Sequence, residues 1–342
     1  MENFAEDRPS AIPLADLHIH MGSSVAPHVL WSMAHAQGYK LPVKSYWEFV
    51  DLVTASPDKV SSLESYIAIL HNWTEKLQSS PAAVERSVYE IIGKEYRSSG
   101  VELLELRFNP MKRNEGGDRD LDHIIHAALR GMDRACLEYG VKAGLIFCLA
   151  REFAPELNEI IVKKAVRYKN RGVIGIDLAG TESGAFERTE DESVLRNYSD
   201  LFAQARDAGL GTTVHTGETH HTDADGVARV IKMLKPHRIG HGIRAAYSEH
   251  AMQAILDAKV VLELCPSSNL ATRAVNGLSE LGHILRTFSK HQIPITINTD
   301  GTYFLNTNLQ REFDLLVNNN LMTRFEAEAT AKRAFEASFI RG

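Results

Sequence analysis

Six residues of the sequence are of types that hold metals or move protons, and all fall where short apolar runs end: His18, His20, His215, Glu218, His241 and Asp300. In DLHIH (16–20), alternation along a strand sends His18 and His20 to the same side of the chain. Three neutral imidazoles (His18, His20, His215) and the Asp300 carboxylate suit Zn²⁺, one ion per chain, with a coordination position left for water. His241, in RIGHG, is either a fourth imidazole ligand or a hydrogen-bond partner of that water. Metal binding would lower the water's pKa towards about 7. In HTGE (215–218), Glu218 follows its histidine across Gly217, a residue that permits a tight turn. A carboxylic acid there, partly desolvated, would keep its proton and donate it to a substrate nitrogen. Hydroxide on one side and a proton donor on the other suit hydrolytic attack on a C=N unit. Gly180, in GIDLAGTES (175–183), would bring bare backbone and its N–H close to a flat ligand.

Each of these residues also has a plainer reading. An HxH pair is often incidental, His241 can cap a strand, and Asp300 can cap a following helix. The case for a site is the coincidence: four strand ends carry ligand-type residues in one parallel order. ELCPSSN (263–269) is also polar at a strand end, so Glu263 and Asn269 either support the site by hydrogen bonds or merely satisfy their loop. His220 and His221 would line the mouth. His28, His35, His71 and the other histidines in helical or loop patterns read as surface or packing residues.

The elements that must bring these residues together are short apolar runs alternating with longer amphipathic ones. The runs are 14–20, 101–108, 142–150, 172–180, 211–218, 238–242, 260–266 and 293–300. Eight strands alternating with helices predict a parallel (β/α)8 TIM barrel, in which all strand C-terminal ends converge on one mouth. The interval between the first two strands is too long for one crossover. Ser80 and Pro81 read as the N-cap and first residue of the proper crossover helix, leaving residues 25–78 as a helical, lid-like insertion on the face where barrel active sites are built. The chain is read as one domain over 1–342.

Composition narrows the class. With 342 residues, 44 % hydrophobic and 24 % charged, the chain can bury a large core. A net charge of −6 without a basic stripe argues against nucleic acid. No apolar segment is long enough to span a membrane, and the acidic N-terminus lacks the order of a signal peptide. Cys136, Cys148 and Cys265 form no CxxC pair and read as reduced thiols. The expectation is a cytoplasmic enzyme, monomer or homodimer, acting on a small molecule.

At these motifs a resemblance appears. HxH near the N-terminus, DLAG, HTGE, RIGHG, ELCPSSN and a late TD, in this order from about residue 14 to 310, resemble the adenosine deaminase family of the amidohydrolase superfamily. The resemblance implies a barrel with one Zn²⁺ on His18, His20, His215 and Asp300. It also implies Glu218 as proton donor to the ring nitrogen beside the amino-bearing carbon. His241 would orient and help deprotonate the water, Asp300 would accept its proton, and the Gly180 amide would contact a purine-type ring. Ammonia would leave after attack by metal-bound hydroxide. Two positions depart from the family pattern. Gly22 stands where an aspartate resembling a ribose contact is usual, and Gly301 where an aspartate facing the purine five-membered ring is usual. A site that loses such polar contacts changes its discrimination strongly, so the expected substrate is an aminopurine nucleoside or related amino-heterocycle rather than adenosine by default. Ser23, Ser24, Thr302 and Tyr303 are positioned to supply replacements. The alternative is a metal-dependent hydrolase of the same fold acting on a different C–N or C–O bond.

Overall fold

Each of the eight apolar runs forms a strand: β1 Leu14–His20, β2 Val101–Phe108, β3 Lys142–Ala150, β4 Val173–Ala179, β5 Gly211–Thr216, β6 Arg238–His241, β7 Val261–Leu264 and β8 Ile295–Ile297. The structure, a computed structural model, describes residues 13–56, 59–117, 120–183 and 191–341; the acidic stretch 1–12 lies outside them. The strands are hydrogen-bonded in sequence order, every neighbouring pair parallel. A bridge between Ile19 and Asp300 brings the eighth strand's end back to the first. There the Asp300 N–H donates to His18 O at 2.8 Å and the His20 N–H to Asp300 O at 2.7 Å. The architecture is the expected (β/α)8 barrel.

Several strands are shorter than their apolar runs, and two of these shortenings bear on the site. β5 stops at Thr216 because Gly217 turns the chain at φ 64°. β8 keeps only Ile295–Ile297 of the run 293–300. Next to it, a side chain replaces the ladder: the Leu17 N–H donates to Asn298 Oδ1 at 3.0 Å.

The crossover helix Pro81–Ser99 shows why the surrounding layer forms. Ser80 accepts from the Ala83 N–H, Pro81 occupies the first turn, and Gly100 ends the helix at φ 67°. Its buried Val84, Val88, Ile91 and Ile92 recur at helical spacing and face the core. The insertion carries helices Pro27–Ala36 and Tyr46–Leu52, then one continuous helical run of Leu63–Ile69, a π-helical segment Leu70–Thr74, and Glu75–Leu77. No helix among the described residues is long and apolar enough to cross a membrane.

The barrel interior is polar. Glu105 and Arg107 on β2, Asp177 on β4, Arg238 on β6 and Glu263 on β7 are all buried. The C-terminal segment closes its floor: the Phe339 ring lies 3.6 Å from the Arg238 guanidinium, and the Phe339 N–H donates to Glu105 Oε1 at 2.6 Å. Gly211 makes room for that ring, since a Cβ there would lie 2.1 Å from Phe339 Cγ. Gly211→Ala is therefore expected to cost about 1–3 kcal/mol by overpacking, read as a lower denaturant midpoint; an unchanged midpoint would contradict this packing of the floor.

Candidate active site at the barrel mouth

The predicted ligands meet. His20 Nε2 lies 3.1 Å from His215 Nε2, and Asp300 Oδ1 lies 3.5 Å from His20 Nε2 and 3.9 Å from His18 Nε2. The backbone that delivers two of the residues is strained: His241 and Asp300 both adopt φ 62°, a left-handed conformation uncommon for such side chains. Both sit where a strand hands over to a loop, and this geometry aims them at the mouth.

Three of the four imidazoles are held from behind. His18 Nδ1 lies 2.8 Å from Glu263 Oε2, His215 Nδ1 lies 3.0 Å from Asp177 Oδ2, and His241 Nδ1 lies 3.0 Å from Asn269 Nδ2. With Nδ1–H donated to a carboxylate, His18 and His215 turn bare Nε2 lone pairs toward His20. His18 Nε2 is buried and has no hydrogen-bond partner. Burial, Arg107 and the neighbouring imidazoles hold His18 well below the usual histidine range; burial, His215 and Arg107 do the same for His20. Both rings are therefore neutral. Converging neutral nitrogens with a carboxylate beside them are the donor set of a divalent cation such as Zn²⁺. Among the described residues, His18, His241 and Cys265 form a second grouping that shares His18. Burial and Asp300 push the Cys265 thiol well above its ordinary value, so it is a neutral group.

Glu218 follows the β5 turn and is buried. Burial first, then the carboxylates of Glu182 and Asp300, push its pKa well above the usual range, so it carries a proton. Its Oε2 lies 3.6 Å from His241 Nε2, and its Oε1 is buried without a partner. Glu182 anchors the turn by accepting from the Glu218 N–H at 3.2 Å and the Thr219 N–H at 2.7 Å.

Gly22, Gly180, His20, His215, Glu218, His241 and Asp300 all border one cavity, with His18 directly behind it. Gly180 turns at φ 113°, and a Cβ on it would meet Glu152 Oε2 at 2.9 Å. The two glycines that depart from the family pattern are not open space. A Cβ on Gly22 would lie 2.9 Å from Glu75 Oε1, and one on Gly301 would lie 2.7 Å from the Tyr66 hydroxyl and 2.5 Å from Ser23 Oγ. Of the expected replacements, Ser23 stands at the place, whereas Ser24 is engaged with the Thr302 N–H at 3.2 Å and Tyr303 lies under Lys94.

Three further findings were not foreseen. His71 belongs to the cavity wall rather than to the surface set, lying 3.0 Å from Lys112 Nζ and 3.3 Å from Glu75 Oε2. His220 and His221 contact Arg244 and Glu64 and do not border the cavity. Arg107, a lone arginine in an apolar strand, links the scaffold: its Nη1 donates to Asp177 at 3.2 Å and its Nη2 to Glu263 at 2.8 Å. The charged residues Glu102, Glu105 and Arg107 inside VELLELRF were the only signal for it.

A parallel barrel with buried histidines, a carboxylate and a buried glutamic acid at its mouth carries the donor set that metal-dependent hydrolases use. The chain matches the Adenosine deaminase family model over residues 13–342. It belongs to the adenosine deaminase family and is an adenosine deaminase-like aminohydrolase. An adenosine deaminase of Vibrio vulnificus is 30 % identical over 92 % of this chain and 90 % of its own length, and one of Clostridium kluyveri is 28 % identical over 96 % and 90 %. An adenine deaminase from Arthrobacter aurescens superposes with a TM-score of 0.84 at 20 % identity, covering 97 % of this chain and 95 % of that one. A Burkholderia ambifaria amidohydrolase with bound Zn superposes at 0.83 and 18 % identity, over 97 % and 86 % of the two chains. The N6-mAMP deaminase of Arabidopsis superposes at 0.80 and 24 % identity, over 97 % and 94 %.

Proposed function

We propose that this protein is a zinc-dependent hydrolytic deaminase of an aminopurine base, nucleoside or nucleotide, or a closely related amino-heterocycle. The observation that carries the reading is Glu218: a buried carboxylic acid that keeps its proton and faces His241 beside the imidazole cluster. His18, His20, His215 and Asp300 would hold one Zn²⁺, whose Lewis acidity makes a water nucleophilic near neutral pH.

Glu218 gives its proton to the ring nitrogen beside the amino-bearing carbon, which makes that carbon electrophilic. Water adds to the carbon. One of the water's protons passes to Asp300 and leaves with the amino group as ammonia, and the other, released as the C=O bond forms, restores the Glu218 acid. His241, whose Nδ1 accepts from the Asn269 amide, keeps its own proton on Nε2 and orients the water. The Gly180 amide contacts the ring. A donor at Glu218 suits ring protonation better than cleavage of an amide or lactone. The aminopurine class is the chemistry shared by the relatives' names: adenosine, adenine and N6-methyl-AMP.

The test is amine release from adenine, adenosine, deoxyadenosine, AMP and N6-methylated analogues, before and after chelation. At least one should release ammonia or methylamine, the activity should vanish on chelation, and Zn²⁺ should restore it. Protein carrying stoichiometric zinc that acts on no member of the panel would overturn the reading.

A further inference from the structure

Both glycine positions at the mouth are approached by side chains from one element, the helical run inserted after β1, and at Gly301 Ser23 shares the place. Tyr66 comes from its first segment, Leu63–Ile69, and Glu75 starts its last, Glu75–Leu77. In an undisturbed α-helix Glu75 would sit about 120° around the axis from Leu63, at about 100° per residue. The π-helical segment Leu70–Thr74 between them adds roughly one residue to the turn. Glu75 then falls about 20° from Leu63, and Leu63, Tyr66, Leu70 and Glu75 all border the cavity. The insertion is wound so that one stripe of it faces the mouth.

Tyr66 is the unusual member of that stripe. It is 4 % exposed, and its ring packs edge-on against Phe304 at 4.7 Å in a small apolar cluster with Val60, Leu63 and Leu70. A phenylalanine would fill the same volume. The hydroxyl reaches past the cluster to Gly301, next to Asp300, and to Ser23, whose own Oγ–H turns to the carbonyls of His20 and Asp300, so that contact with Ser23 falls short of a well-aligned hydrogen bond. A buried hydroxyl left poorly satisfied costs up to about 1–3 kcal/mol, so its place here suits a stronger acceptor that comes from the cavity. Burial pushes the phenol further above its ordinary value, and it stays a proton donor.

Placement says which part of a ligand it meets. Glu218 follows β5 and Gly301 follows β8, three strands further round the barrel, so the two groups approach a bound ring from different sides. If the nitrogen on one side of the amino-bearing carbon takes the Glu218 proton, the other side of that carbon turns toward Tyr66. In an aminopurine that side carries the fused five-membered ring, whose nearer nitrogen is an acceptor. In a monocyclic aminopyrimidine it carries only C–H. We infer that the Tyr66 hydroxyl is a specificity-determining donor to the five-membered-ring nitrogen, selecting bicyclic, purine-type substrates over monocyclic ones. The inference rests on the deaminase reading above and names its substrate class.

The experiment is a cycle between protein and ligand. kcat/KM is measured for the best aminopurine of the panel and for its 7-deaza analogue, in which C–H replaces the acceptor, with wild-type protein and Tyr66→Phe. Wild type should lose about tenfold or more on the deaza analogue, the worth of one buried hydrogen bond. Tyr66→Phe should lose a similar factor on the parent and little more on the analogue. Gly301→Ala, which crowds the hydroxyl, should reproduce the pattern without touching the tyrosine. The same cycle read as Kd in a zinc-loaded Glu218→Gln background needs no turnover. Turnover without coupling between Tyr66 and the ring nitrogen overturns the inference and leaves the deaminase reading standing. Coupling in Kd with no turnover of any panel member by protein with intact Glu218 does the reverse. Absence of both overturns both.

Discussion

Glu218→Gln is expected to lower kcat by about 10²–10⁴, the usual worth of a positioned general acid, while the protein still folds and binds zinc. The glutamine is isosteric, and its backbone N–H keeps the Glu182 carboxylate that shapes the turn. What disappears is the proton that burial, Glu182 and Asp300 hold on the carboxyl. An amide can still hydrogen-bond a ring nitrogen, so KM should move less than kcat. The same shift sets the pH behaviour of the wild type. A raised pKa keeps the acid form available above the ordinary carboxylate range, and activity falls on the alkaline side as Glu218 ionises. Steady-state kinetics with zinc quantified in each preparation decides the matter; a variant within tenfold of wild-type kcat would remove Glu218 from its role.

The parts of this site that were legible in the sequence are those whose geometry is local. His18 and His20 share a side because β1 alternates, and Glu218 follows His215 across a glycine turn, so both relations follow from spacing alone. That His215, His241 and Asp300 join them follows from the parallel order of strands, the one long-range rule a barrel imposes. Asp300 already strains that logic. Its strand ends at Ile297, and the residue reaches the mouth through a bridge to Ile19 and a left-handed backbone that no residue type announces. Arg107 and Asp177 were visible only as charges in apolar strands, and for Glu263 the sequence left open whether it supports the site or satisfies its loop; their pairing depends on closure and register, which are global. Tyr66 and Glu75 were out of reach for a further reason. Their shared face is created by a π turn, and amphipathic periodicity misreads a helix that gains a residue midway.

Glu263 carries the second large expected effect, because one carboxylate there serves both the site and the fold. Its Oε2 accepts from His18 Nδ1 and Arg107 Nη2, each at 2.8 Å, and its Oε1 accepts from Arg238 Nε at 2.6 Å and Thr213 Oγ1 at 3.1 Å. All of it is buried. Glu263→Ala removes the anion shared by two buried guanidiniums, although Arg107 keeps Asp177 and Arg238 keeps Glu105. Breaking a buried charge pair in this way costs about 3–5 kcal/mol, against a total stability of about 5–15 kcal/mol for a typical domain. The alanine variant should accordingly unfold at much lower denaturant. Glu263→Gln isolates the other function. It keeps the volume, but its amide nitrogen cannot accept, so His18 or an arginine loses its acceptor and the ring is no longer fixed by Nδ1. Loss of such an orienting partner weakens metal binding about 10–100-fold. Zinc affinity by chelator competition, with the denaturant midpoint measured alongside, separates the two functions. A glutamine variant that binds zinc as tightly as wild type would mean that His18 is oriented by β1 and its packing alone, and that Glu263 serves only the ion pairs beneath it.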